Sequence, residues 1–179
     1  MSEKALLEAI KGCCERDKQS QQHVFRYYYN YVMTIASRYV QHKTEAEEIT
    51  SDTFYRAFSK IDTYNLNYAF KPWLGKIAVN CAINHFQKYH RENVFFETLE
   101  NVQIVEYQED VISKLSYQEL KAMIQCLSPA YKIVFNLYVI EGYKHEKIAT
   151  MLSISVGTSK SNLAKAKQKL QRMIETVYP

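Results

Sequence analysis

Between Val156 and Arg172 the chain carries five basic residues and no acid. Thr158, Lys160, Ser161, Asn162, Lys165, Lys169 and Arg172 offer hydroxyl, amide and cationic groups. That is the set that hydrogen-bonds base edges and phosphates in a DNA major groove. At about 100° per residue, Leu163, Ala166, Leu170, Met173 and Val177 fall on one helix face and are expected inward. Thr158, Ser161, Asn162, Lys165, Lys169 and Arg172 fall on the other. Lys160 and Lys167 lie near the apolar seam, where long stems serve phosphates or packing.

A second cluster could hold single-stranded nucleic acid. Residues 60–91 carry Lys60, Lys71, Lys76, Lys88 and Arg91 against Asp62, with Tyr64, Tyr68, Phe70, Trp73, Phe86 and Tyr89 among them. Cations that track a phosphate backbone, beside aromatic faces on which bases stack, are how single strands are bound. Tyr64 and Tyr68 fall in a loop from Asp62 to Pro72 and are expected to receive bases; Trp73 and Phe86 suit a core equally well. Beyond the loop, Lys76, Asn80, Asn84, Gln87 and Arg91 form a polar stripe opposite Leu74, Ile77, Ala78 and Cys81. Upstream, Glu45, Glu47, Glu48 and Asp52 crowd two helical turns. Favourable interaction with a helix N-terminus and a protein-docking surface both remain open for them.

Other chemistries find no material. Four glycines leave no phosphate-cradling G-x-G-x-x-G or G-x-x-x-x-G-K-[ST]. Cys13, Cys14, Cys81 and Cys126 lack the Cys-x-x-Cys spacing of a zinc site and are expected as reduced, mostly packed thiols. The five histidines are scattered, and no metal or cofactor is expected. The acids sit in runs on solvent faces, so no paired-carboxylate enzyme is expected. No apolar run approaches the roughly 20 residues of a membrane span, and Met1-Ser2-Glu3-Lys4 is unlike a secretory signal. The expected setting is cytoplasmic.

The elements that would position these groups are helical. Leu6, Ala9, Ile10 and Cys13 suit a short first helix. Val24, Phe25, Tyr28, Val32, Ile35, Ala36, Tyr39 and Val40 mark one face of a long one. Thr44-Glu45-Ala46-Glu47 reads as a capping box with Thr44 at the N-cap, opening a helix to about Ser59. Pro72 suits the first turn of a helix reaching about Tyr89. Ser128-Pro129 starts a helix that Gly142 stops. A short helix, His145–Leu152, a turn at Ser153–Ser155 and a last helix, Val156–Val177, make a helix-turn-helix. The expected fold is all-α: two helical bundles, residues 1–91 and 111–179, joined by an acidic linker at 92–110. Charge follows the same division. Residues 1–59 are neutral, 60–91 carry +4, 92–119 carry −6 and 120–179 carry +6.

Three stretches in this order resemble the extracytoplasmic-function sigma factors of bacterial RNA polymerase. Glu45-Ala46-Glu47-Glu48-Ile49 through Thr53-Phe54-Tyr55-Arg56-Ala57-Phe58 is similar to that family's region 2.2. Phe70-Lys71-Pro72-Trp73-Leu74-Gly75-Lys76-Ile77-Ala78-Val79-Asn80 is similar to regions 2.3–2.4. Leu127-Ser128-Pro129, Val134-Phe135 and Ile148-Ala149 through Ser161 are similar to region 4.

The resemblance implies that Glu45, Glu47, Glu48, Ser51, Asp52, Phe54 and Arg56 dock on core polymerase. It implies that Tyr64, Tyr68, Lys71, Lys76, Asn80, Asn84, Lys88 and Arg91 melt and read the minus-ten promoter element. The last helix would read the minus-thirty-five element, with Ser161 and Lys165 on contacting positions. The linker would thread toward the RNA exit channel, and an anti-sigma factor is an expected partner. The family commonly has Gln where Ser51 stands, Val at Ser159, and Arg at Asn162 and Lys165. A stand-alone helix-turn-helix regulator with an all-α sensory domain would explain the last helix but not the aromatic basic loop or the linker.

Replacing Glu106, Glu109 and Asp110 with Gln is expected to lower initiation in an in vitro transcription assay while leaving polymerase binding and the thermal midpoint unchanged. A lowered midpoint would show that this stretch packs as core.

Overall fold

The computed structural model describes residues 3–90 and 117–177. The expected linker and Arg91 lie outside the described residues. Every regular element among the described residues is helical: α1 Glu3–Cys14, α2 Lys18–Tyr39, α3 Lys43–Ser59, a 3-10 turn Ile61–Thr63, α4 Phe70–His90, α5 Tyr117–Gln125, α6 Pro129–Phe135, α7 His145–Leu152 and α8 Val156–Val177. The expected all-α class is the one found. The chain divides into two compact units, Met1–Asn84 and His85–Pro179.

In the first unit α2 packs against both α1 and α3. It buries Val24, Tyr28, Val32, Ile35, Ala36 and Tyr39, the one-face spacing read from the sequence. Asp17 starts it: its carboxylate accepts the Ser20 N–H at 2.7 Å, and hydrogen bonds from the Ser20 side chain and then from that N–H hold the Asp17 carboxyl below its ordinary range. Helix α3 starts two residues earlier than expected. Its N-cap is His42, not Thr44. Glu45 stands three residues beyond His42 and accepts its N–H at 3.2 Å, as Glu47 would have done for Thr44. The two glutamates two residues apart made either register a possible capping box.

Helix α3 buries Ala46, Ile49, Thr50, Thr53, Phe54 and Ala57. Phe54 therefore needs correction as a docking residue. It is 3 % exposed, and its ring lies 4.6 Å from Phe25 and 5.9 Å from Phe58 between centroids. Its place in the periodic row of Ile49, Thr53 and Ala57 turns it inward. In α4, Leu74, Ala78 and Cys81 are buried as expected. Gly75 permits the close approach of α2: a Cβ there would stand 2.5 Å from the Tyr31 hydroxyl.

In the second unit Ser128 and Pro129 open α6 as expected. The helix then widens into a π-turn, Asn136–Ile140, where Glu141 N–H donates to the Asn136 carbonyl at 3.0 Å. Gly142 ends it at φ +73, a conformation glycine adopts without strain. Helices α6 and α7 both pack on α8. The turn between α7 and α8 runs through Ser153 in the left-handed region, φ 56 and ψ 44. Ser155 then caps α8, its Oγ accepting the Thr158 N–H at 2.9 Å.

The cysteines are free thiols, with Cys13 and Cys81 buried, Cys14 half-buried and Cys126 exposed. Burial pushes the Cys13 thiol up to about 12, so it stays protonated. No described helix is long and apolar enough to cross a membrane.

Two neighbours on α3 separate packing from surface. Phe54→Ala is expected to cost about 3–5 kcal/mol of unfolding free energy. Tyr55→Ala, at a side chain 74 % exposed, is expected to stay within about 0.5 kcal/mol of the parent. Urea unfolding midpoints measure both.

Candidate nucleic-acid interface

Helix α8 supplies one candidate surface. Lys160, Lys169 and Arg172 are exposed, and Thr158, Ser161 and Lys165 are partly exposed. The buried row is Ser159, Asn162, Leu163, Ala166 and Leu170. Asn162 was expected to face outward, and the structure corrects this. Its side chain is 5 % exposed, and its buried Nδ2 has no hydrogen-bond partner. The row centres near Leu163, Ala166 and Leu170, and Asn162 lies only about 70° from that centre at 100° per residue. Val177, expected inward, is 54 % exposed, because the seam runs out before the last turn. Lys160 and Lys167, placed near the seam by the sequence, are both exposed.

One contact across the helix-turn-helix was not anticipated. His145 Nδ1 and Ser159 Oγ lie 2.9 Å apart, joining the first residue of α7 to the first turn of α8. The Tyr138 ring stacks on the imidazole at 4.5 Å and 24°. Burial, then the nearby Lys160 and Lys167 charges, hold the His145 pKa below 6.5, with Glu146 opposing. Only the family's usual Val at Ser159 hinted that this hydroxyl would need a partner.

The first unit supplies a second surface, around the loop between the 3-10 turn and α4. Tyr64 and Tyr68, paired in the sequence reading, part company here. Tyr68 is 72 % exposed, as expected of a base-receiving ring. Tyr64 is 9 % exposed, which corrects its assignment. Its ring lies 5.2 Å from Phe70 and 5.1 Å from Trp73. Phe70 in turn lies 5.3 Å from Trp73 and 5.4 Å from Tyr28 of α2. A loop position did not keep Tyr64 out of the core because the aromatic start of α4 folds over it. Its hydroxyl donates to the Tyr68 carbonyl, and burial raises its pKa, which keeps that proton in place.

Further contacts shape the loop. Asn67 N–H donates to the Asn65 side chain at 2.9 Å, an Asx turn. Arg16 pairs with Asp62 at 3.1 Å, with side chains 69 % and 60 % exposed. At that exposure an ion pair contributes about 0.2–1 kcal/mol, so the aromatic packing dominates. Lys71 stands 4.8 Å over the Tyr31 ring. Tyr31 was missed in the sequence; the tyrosine run on α2 was its only sign. Lys76, Asn80 and Asn84 are exposed along α4 as expected; Lys88, beyond the first unit's end at Asn84, is exposed as well and stands 4.6 Å over the Tyr89 ring.

On α3, Glu48, Ser51, Asp52, Tyr55 and Arg56 face solvent. Glu45 is occupied as a cap, and Glu47 pairs with Lys43 at 3.5 Å. Among the described residues no group of three or more His, Cys, Asp or Glu is placed to hold a metal.

Residues 24–92 match the family model for sigma-70 region 2, and residues 117–170 match that for sigma-70 region 4. The ECF RNA polymerase sigma-E factor of Haemophilus influenzae is 26 % identical, covering 98 % of this chain and 96 % of that protein. The ECF RNA polymerase sigma factor SigW of Bacillus subtilis is 24 % identical over 96 % of this chain and 98 % of its own. The sigma factor RpoE of Bartonella quintana, solved in complex with the anti-sigma factor NepR, shares the fold. It superposes with a TM-score of 0.51 at 23 % identity, over 88 % of this chain and 98 % of that one. An all-α chain with a basic helix-turn-helix and an aromatic basic loop thus belongs to the sigma-70 family, a family of non-catalytic transcription initiation factors. Within it the chain is an extracytoplasmic-function RNA polymerase sigma factor.

The His145 environment sets a pH dependence. The folded state lowers the pKa of this group, so the unfolded chain takes up the proton first. Stability is then full above about pH 6.5 and falls as pH drops through the unfolded and then the folded value. Thermal midpoints of the parent are expected to fall between pH 7 and 5.5 more steeply than those of His145→Gln. Parallel slopes would show that other groups carry the effect.

Proposed function

We propose that the chain reads two promoter elements with the two surfaces described above. Helix α8 reads the minus-thirty-five element as duplex: Ser161 and Lys165 meet base edges or phosphates, and Thr158, Lys160, Lys169 and Arg172 engage the backbone. The loop and α4 act at the minus-ten element. Tyr68 stacks an unpaired base, Asn80 and Asn84 offer amides to base edges, and Lys71, Lys76, Lys88 and Arg91 meet phosphates. The outward residues of α3 dock on core polymerase. The division of labour follows residues 1–91, 92–110 and 111–179, with the acidic middle segment threading toward the RNA exit channel.

The observation that carries this reading is the exposed Tyr68 ring on a loop rooted in buried aromatics, in the same chain as a cationic helix-turn-helix face. A stand-alone regulator needs only the second. The Bartonella relative's complex supports an anti-sigma factor as a further partner. Cytoplasmic action and the absence of an enzymatic activity of its own follow from the same role.

Transcription reconstituted with core polymerase on a cognate promoter tests the reading. Promoter binding is expected to require polymerase; tight duplex binding by the chain alone would favour the stand-alone regulator. Lys165→Ala is expected to weaken minus-thirty-five engagement by about 1–3 kcal/mol if it meets a base edge. Asn162→Ala, at a buried position, is expected to leave DNA contacts unchanged. Footprinting of the holoenzyme compares the two.

A further inference from the structure

Tyr64 and Tyr68 stand in the same loop, one buried and one exposed, and a single hydrogen bond joins them. The Tyr64 hydroxyl donates to the backbone carbonyl of Tyr68. Its ring is clamped between Phe70 and Trp73, both in the first turn of α4, so the donor oxygen is fixed relative to the helix. The acceptor is the carbonyl of the residue whose ring faces solvent. Fixing that carbonyl fixes the backbone from which the Tyr68 side chain departs. The Tyr68 N–H is held as well, donating to the Asn65 carbonyl at 3.0 Å. The loop start is tied separately, by Asp62 to Arg16 and by Tyr64 N–H to the Ile61 carbonyl at 2.9 Å.

We propose that Tyr64 is a positioning residue for base capture, holding the loop backbone so that the Tyr68 ring is presented before DNA arrives. The inference rests on the base-stacking role given to Tyr68 above. An exposed ring on an unrestrained loop must be ordered when a base stacks on it, and that ordering opposes binding. With both backbone polar groups of Tyr68 engaged, that cost is met on folding. Tyr64 touches no base itself, because its ring is enclosed and its hydroxyl is in use.

The test is a double-mutant cycle with Tyr64→Phe and Tyr68→Ala, each assembled into holoenzyme. Tyr64→Phe keeps the ring packing and deletes only the donor, and Tyr68→Ala changes an exposed side chain. The probe is a single-stranded oligonucleotide carrying the non-template minus-ten sequence, so that duplex melting does not enter. Tyr64→Phe is expected to weaken binding about 2- to 12-fold, the range of one net hydrogen bond. In the Tyr68→Ala background it is expected to add nothing, since there is no ring left to position. Unaltered binding by Tyr64→Phe, with Tyr68→Ala impaired, overturns the positioning role and leaves base stacking intact. Full additivity also overturns it, since Tyr64 would then act by general packing. Unaltered binding by Tyr68→Ala overturns the base-stacking reading itself, and the inference with it.

Discussion

The aromatic junction at Phe70 is the contact on which the first unit's functional surface depends. Phe70 is the first residue of α4, and its ring meets Tyr28 of α2, Tyr64 of the preceding loop and Trp73 one turn further on. Aromatic rings in tilted and edge-on contact contribute beyond the area they bury. The geometry matters more than the magnitude. One ring fixes where α4 begins, where the loop ends and how both sit on α2. The polar stripe of α4 and the ring of Tyr68 inherit their directions from that point.

The periodic parts of the fold were legible because burial obeys the helical repeat. The spacing of Val24, Tyr28, Val32 and Ile35 on α2 gave its inner face directly, and the chemistry of Ser155 and Gly142 gave the ends of their helices. A boundary failed where two glutamates stood two residues apart: the preference for Thr at an N-cap pointed to Thr44 with Glu47, and the structure uses His42 with Glu45. Site residues failed at the borders of faces. Asn162 lies about equally far from the centres of the expected apolar and polar rows at 100° per residue, so the helix angle left it at the border and its residue type placed it outward. Phe54 was assigned by its place in a family string, but the row of Ile49, Thr53 and Ala57 already pointed it to the core. Tyr64 was unreadable for another reason. Its burial depends on Phe70 and Trp73 folding back across a loop, and no local pattern encodes that return.

The cations of the two candidate surfaces stay in water for a reason that also serves binding. A desolvated ammonium is costly unless paired, so Lys76 of α4 and Lys160 and Lys169 of α8 remain in water. They can then exchange counterions for phosphates when DNA arrives. Lys71 and Lys88 show a variation. Each ammonium stands over a tyrosine ring, Tyr31 and Tyr89, which narrows the conformations of a flexible stem while leaving its charge available.

The buried face of α8 is apolar along Leu163, Ala166 and Leu170 and polar at Ser159 and Asn162. The polar positions lie toward the helix start, where a recognition helix meets base edges. A buried hydroxyl costs free energy unless it is bonded, and His145 supplies the bond for Ser159. The surroundings favour the neutral imidazole. It lies at the N-terminus of α7, whose dipole opposes a positive charge, and it faces Lys160 and Lys167. A valine at position 159 would bury more apolar area but tolerate a range of helix angles, whereas a hydrogen bond of defined length and direction tolerates fewer. The Ser159–His145 pair therefore exchanges non-directional packing for an orientation at the end of α8 where orientation decides which groups reach the groove.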